Sequence, residues 1–360
     1  MKVAVVGVGA LGRHHARILS QLPEAELVAV ADGNEQQGRA VAESCGCEWT
    51  NDYRTLLNRI DAVSIVVPTT LHRPIAGAFL EAGIPVLVEK PLTANVADGA
   101  ALVELAEKKG LPLQVGHIER FNPAFEAASV RVRNPKYICC ERVSPYAFRS
   151  MDIGAVHDLM IHDIELTLAL VGEMPISVEA FGVTLVGGQE DCVQARLKFP
   201  GGCVADLTAN RVAPGFTRSL TCWSEVGCVS ADLNARSVSS FSPGAASLQG
   251  ELPFELVQQR KADPATLKPE IFTRFIHHEQ FNCSDADALT AELKSFLMCV
   301  RTGQTPRVSG QQGLAALQVA EQILASVSAH AWDGSSEGRH GPEALLQHHL
   351  PHLGLGRKVA

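Results

Sequence analysis

The chain has 360 residues, 46% of them apolar, and its 31 lysines and arginines against 39 aspartates and glutamates give a formal net charge of −8. That length suffices for two domains with cores of their own, and the acidic balance excludes an electrostatic nucleic-acid footprint. No apolar run reaches the roughly 18 positions of a bilayer span, and no leader-like segment precedes the first strand, so a soluble, cytoplasmic protein is expected, with small-molecule partners and no nucleic acid or membrane.

The first expected strand, residues 2–6, runs into Gly7-Val8-Gly9-Ala10-Leu11-Gly12 and then into a helix with Ala16, Ile18 and Leu19 on one face. Each glycine of this turn has its own use: Gly7 for the tight turn, Gly9 for close approach to a pyrophosphate, Gly12 for helix packing. Near-continuous apolar runs at 27–31, 62–67, 85–88 and 113–117 are expected strands, separated by helical stretches such as 95–109. Parallel strands covered on both faces read this way, so residues 1–120 are expected to form a doubly wound α/β (Rossmann) domain.

Asp32 ends the second strand twenty positions after Gly12, where a carboxylate can accept both ribose hydroxyls of an adenosine. A 2′-phosphate about 4 Å from it would be repelled by roughly 4 kcal/mol per unit charge at an effective dielectric near 20, so NAD is expected in preference to NADP. Arg39 is the nearby cation that keeps NADP open. Pro68, Thr69 and His72 follow the run 62–67 at the end where ligands of such sheets gather, and are expected at the cofactor.

Glu89-Lys90-Pro91 closes the apolar stretch 84–88, and Pro91 restricts Lys90 to an extended backbone. Partial burial suits a lysine to proton transfer. Residues 158–166 read as a helix with Asp158 and His162 on one face. A histidine there can accept a hydroxyl proton, and a carboxylate one turn away can orient it or bind a second hydroxyl. Zinc, drawing also on His157 and Asp163, lacks a third convergent cysteine or histidine, so no metal is expected.

Beyond residue 122 the pattern changes to strands at 136–142, 178–185, 192–199, 203–209 and 220–223, with turns at Pro200-Gly201-Gly202 and Gly227. A second α+β domain, residues 121–330, is expected around a large, mostly antiparallel, open-faced sheet. Its bare face is expected to be an apolar interface for a homodimer or homotetramer. Residues 331–360 read as a surface extension or interface arm, with His340, His348, His349 and His352 solvated. The ten cysteines form no CxxC pair, and Cys139 and Cys140 should face opposite sides of a strand, so free, mostly buried thiols are expected.

The Gly7-to-Gly12 turn, Glu89-Lys90-Pro91 and the Asp158-x3-His162 pair together resemble the Gfo/Idh/MocA family of sugar and polyol dehydrogenases, over roughly residues 1–330. The resemblance implies that Lys90, Asp158 and His162 line the nicotinamide and substrate, with Glu89 beside the cofactor, and that helices at 285–301 and 311–328 return toward the first domain. Two stretches, His117-Ile118-Glu119-Arg120-Phe121-Asn122-Pro123 and the segment from Arg142 through Arg149 to Asp158, are similar to the UDP-N-acetylglucosamine 3-dehydrogenases of that family. This likeness implies oxidation of the C3 hydroxyl of UDP-N-acetylglucosamine, serving lipid A or another surface glycan. Arg120 and Asn122 would then join Lys90, Asp158 and His162 at the sugar, and Arg149 would meet the diphosphate, whose paired oxygens suit a planar guanidinium. Glu165 stands where many relatives carry a second aspartate. A free sugar, inositol or a UDP-sugar acid is the alternative substrate; a non-catalytic NAD-sensing or scaffold protein is the alternative from another class.

Overall fold

In the computed structural model the described residues are 1–148, 153–186 and 188–349. The chain divides into two compact units, Met1–Phe121 with Ala286–Glu321, and Asn122–Asp285 with Gln322–Ala360.

The first unit is built on six parallel strands: β1 (Lys2–Val6), β2 (Glu26–Ala31), β3 (Glu48–Thr50), β4 (Ala62–Ile65), β5 (Val86–Glu89) and β6 (Leu113–Gly116). They lie in the order β3-β2-β1-β4-β5-β6. Val5, Ile65, Val86, Leu87 and Val88 are completely buried, because helices cover both faces. One face packs Ile18 and Leu19 of the helix Gly12–Gln21 with Leu293, Phe296 and Leu297 of Ala288–Thr302. The opposite face packs Ile75 and Phe79 of His72–Glu81 with Leu102 of Val96–Lys109. Asn34 and Asn95 cap the starts of two helices by accepting the amides of Gln37 and Asp98, and left-handed Gly46 and Gly110 end them. The strand order reverses between β1 and β4, the place where an open parallel sheet leaves a crevice beyond its carboxyl ends.

The second unit carries β7 (Pro135–Val143), β8 (Ser177–Val183), β9 (Cys192–Lys198), β10 (Val204–Asn210), β11 (Thr217–Ser224), β12 (Gly227–Asp232), β13 (Ser237–Pro243) and β14 (Ile276–Asn282). Their order is β14-β13-β12-β11-β7-β10-β9-β8, and β7 with β10 is parallel while the other pairings are antiparallel. Strict alternation buries Ile138, Cys140, Val193, Leu197, Leu207 and Leu220 on one face, where the helix Ile161–Val171 packs on β7 and β10. Cys139 faces the other way and is exposed, and all ten cysteines are free.

The exposed face departs from the expected apolar surface. Beside Phe181 and Trp223 it carries a polar network in which the Tyr137 hydroxyl donates to Asp206 at 2.8 Å and Arg196 forks onto the same carboxylate at 2.7 and 2.8 Å. Lys198 pairs with Glu179 at 3.0 Å. Opposite charges on neighbouring strands meet at these positions because the alternation places them side by side in water. The segment after residue 330 packs back on the second unit: the Trp332 indole donates to the Gly341 carbonyl, Phe181 packs on the rings of His330 and Trp332, and the Thr184 amide donates to the Pro342 carbonyl. An aromatic anchor thus folds the tail, up to the buried Ala344, onto the end of β8. Among the described residues no helix is long and apolar enough to cross a membrane.

Candidate active site

The carboxyl ends of β1, β2 and β4 enclose a cavity of about 570 Å³ whose lining includes Gly7, Gly9, Asp32, Gln37, Tyr53 and Pro68. Gly7 has φ +84°, and a Cβ on Gly12 would overlap the Gly7 carbonyl oxygen, so the tight loop requires both glycines. A Cβ on Gly9 would meet nothing nearer than Gln37 Nε2 at 3.9 Å, which leaves an open approach to the loop backbone. Ala10 and Leu11 sit exposed on the loop, and Thr69 begins the short turn Thr69–Leu71 after Pro68. The Asp32 carboxylate accepts the amides of Val8 and Asn34, each at 2.8 Å, and so is held at the cavity wall. A glycine cradle beside a fixed carboxylate fits a dinucleotide. Arg39 is engaged elsewhere, 2.8 Å from Glu35 and with its guanidinium 4.4 Å from the Trp49 ring centroid. Asn51, Tyr53 and Arg54 also line the cavity. They escape sequence reasoning because they follow β3, a three-residue strand without an apolar run.

Lys90 follows β5 and is half-buried. Glu89, expected beside the cofactor, turns inward: it is 8% exposed, with Oε2 3.3 Å from the Lys90 amide and Oε1 3.3 Å from His15 Nε2. His72, also expected at the cofactor, is buried as well. Its ring is 1% exposed, with Nδ1 2.9 Å from the Pro91 carbonyl and Nε2 2.9 Å from the Val67 carbonyl, so it braces the Lys90-Pro91 turn. Burial pushes the His72 imidazole below its ordinary range, against the upward pull of those carbonyls. His117, just beyond β6, is pushed down to about 3 by burial and then by the charges of Lys90 and Arg120. Lys90, Arg120 and an imidazole that stays uncharged near neutrality therefore share the ends of β5 and β6.

In the second unit, Asp158 lies in a five-residue π-helix, Val156–Met160, that continues into the α-helix Ile161–Val171 carrying His162. A regular helix was expected across this stretch; the wider turn is a form that recurs at functional positions. Leu159, Met160, Ile161, Ile164 and Leu166 are buried, while His157, Asp158 and His162 are left partly accessible. Two buried anchors fix this segment: Glu190 accepts the Val156 amide at 3.1 Å, and Arg142 grips Asp163. Burial raises the Glu190 carboxyl above its usual range. Neither anchor is readable from a local motif, since each partner is distant in sequence. Asn122, expected at the sugar, caps the helix Pro123–Ser129, its carbonyl oxygen accepting the Ala124 amide at 3.0 Å and its amide donating to the Leu233 carbonyl at 2.9 Å. Arg149 lies outside the described residues. Among the described residues no cluster of three or more His, Cys, Asp or Glu could hold a metal ion.

Comparison with known proteins identifies both halves. Residues 1–117 match the model of an oxidoreductase family with an NAD-binding Rossmann fold, and residues 125–228 match the GFO/IDH/MocA C-terminal domain. The chain belongs to the Gfo/Idh/MocA oxidoreductase family. This family member is similar to UDP-N-acetylglucosamine 3-dehydrogenase of Acidithiobacillus ferrooxidans, with 32% identity over 91% of this chain and 98% of that protein. It is also similar to inositol 2-dehydrogenase of Rhizobium meliloti, with 28% identity over 91% of this chain and 97% of the relative. Among solved structures, UDP-N-acetylglucosamine 3-dehydrogenase GnnA from Acidithiobacillus ferrooxidans superposes with a TM-score of 0.79 at 31% identity, covering 91% of this chain and 97% of that one. This Gfo/Idh/MocA protein is thus a sugar oxidoreductase acting on a CH–OH group with a nicotinamide cofactor.

Proposed function

We propose that this enzyme oxidises the C3 hydroxyl of UDP-N-acetylglucosamine to the ketone, with NAD as its cofactor, for lipid A or another surface glycan. The observation that carries the reading is the likeness to the Acidithiobacillus dehydrogenase over 91% of this chain and 98% of that protein. A bound nicotinamide supplies the hydride acceptor. His162 accepts the hydroxyl proton as the C3–H bond breaks and the C3–O bond becomes a carbonyl. Lys90 donates a hydrogen bond to that oxygen and stabilises the charge developing on it. Asp158 orients His162 or holds a second hydroxyl, while Arg120 and Arg149 serve the sugar and the diphosphate.

The reading of NAD over NADP is supported by Asp32, held at the cavity wall by the Val8 and Asn34 amides, and by Arg39, which pairs with Glu35 and stacks on Trp49. A homodimer or homotetramer through the open sheet face belongs to the same proposal. The likeness to inositol 2-dehydrogenase favours a second reading, the same chemistry on a free polyol. NADH formation with UDP-N-acetylglucosamine, N-acetylglucosamine and myo-inositol separates the two. Turnover of the nucleotide sugar alone is expected; turnover of myo-inositol alone overturns the assignment.

A further inference from the structure

A buried Ser-His-Glu chain runs through the first unit directly behind Lys90. Ser64 Oγ on β4 lies 2.9 Å from His15 Nδ1 on the helix Gly12–Gln21, His15 Nε2 lies 3.3 Å from Glu89 Oε1, and Glu89 Oε2 lies 3.3 Å from the Lys90 amide. The order would suit a nucleophilic triad, but Ser64 is 2% exposed and sits within a strand buried on both faces, which leaves no room for a substrate carbonyl. Its chemistry is therefore orientation. His15 Nε2 is buried and makes no hydrogen bond among the described residues, and the Glu89 carboxylate 3.3 Å away is the charged group it faces. Gly116 leaves the space this carboxylate fills, since a Cβ there would stand 2.7 to 2.9 Å from its atoms.

With its proton on Nε2, His15 would accept from the Ser64 hydroxyl at Nδ1 and face the Glu89 carboxylate 3.3 Å away, and Glu89 accepts the amide of Lys90. We infer that His15 and Ser64 are positioning residues for Lys90, holding the Glu89 carboxylate in the orientation that fixes the Lys90 backbone. The chain also links that backbone to the helix that opens at the glycine turn, so cofactor cradle and lysine are set by one buried connection. This inference rests on the reading of Lys90 as a group at the reacting oxygen.

The test uses the full-length protein with 15N-labelled histidine, the His15 ring signals being assigned by their loss in His15→Phe. In the wild type His15 is expected to carry its proton on Nε2. In Glu89→Gln the proton is expected to move to Nδ1, because the new amide donates to Nε2 while its oxygen keeps the Lys90 amide and the Ser64 hydroxyl turns to accept. That variant should lose about threefold in kcat, the effect of one weakened hydrogen bond. Ser64→Ala alone should lose a similar amount. The double variant leaves Nδ1–H without an acceptor and should lose about a hundredfold, well beyond the product of the single losses, with KM for NAD unchanged. An unchanged tautomer in Glu89→Gln, or losses that simply multiply, overturns the inference. If the wild type oxidises no sugar nucleotide, the functional reading fails, and the ring-nitrogen spectra still decide the chain.

Discussion

Arg142 and Asp163 form a buried fork in the second unit, with Nε 3.1 and 3.2 Å from the two carboxylate oxygens and Nη2 2.8 Å from one of them. Each side chain is only 3% exposed. Asp163 adjoins His162, so β7 holds the helix that carries the proposed base.

Breaking this pair strands a charge in the core. Arg142→Met and Asp163→Leu should each cost about 3 to 5 kcal/mol in chemical unfolding followed by far-ultraviolet circular dichroism. The double substitution to Met and Leu should recover much of that loss, since an apolar pair removes both desolvation costs. A double variant as unstable as the sum of the singles contradicts the buried-pair account.

Asp32→Ser should relax cofactor choice by removing the charge that opposes a 2′-phosphate. The ratio of kcat/KM for NAD to that for NADP is expected to fall by at least about tenfold. A ratio unmoved by the substitution would place discrimination elsewhere in the cavity, with Arg54 the next residue to exchange.

His117 makes the first unit acid-sensitive. Its folded-state value of about 3 lies below the ordinary histidine range, so between pH 6.5 and 3 the unfolded chain binds a proton that the native one refuses. Stability is free of this penalty above about pH 6.5 and is lost as pH falls, by at most about 5 kcal/mol near pH 3. His117→Gln should flatten the fall of Tm between pH 6.5 and 4. An equally steep fall in that variant contradicts the assignment.

Much of the first unit was legible because buried parallel strands announce themselves as apolar runs: residues 2–6 were expected and β1 is Lys2–Val6. β3, Glu-Trp-Thr, was not, because one exposed and two half-buried residues carry no periodicity. In the second unit β7 to β11 alternate visibly, whereas β13 and β14 read Ser-Val-Ser-Ser-Phe-Ser-Pro and Ile-His-His-Glu-Gln-Phe-Asn, too polar to stand out. Gly227, read as a turn, closes the tight hairpin turn after Ser224 and starts β12. Local patterns single out Gly7, Asp32, Lys90 and His162 as candidates, but the inward turn of Glu89, the bracing by His72 and the capping by Asn122 are tertiary facts. Their partners are distant carbonyls and side chains that no local pattern names.

The central claim is that Lys90 and His162 act together on one alcohol. Its most direct test is NADH formation from UDP-N-acetylglucosamine by Lys90→Ala and His162→Ala, with NAD binding followed in parallel by calorimetry. Each variant is expected to bind NAD as the wild type does and to lose at least about a hundredfold in kcat. Near wild-type turnover in both would contradict the account.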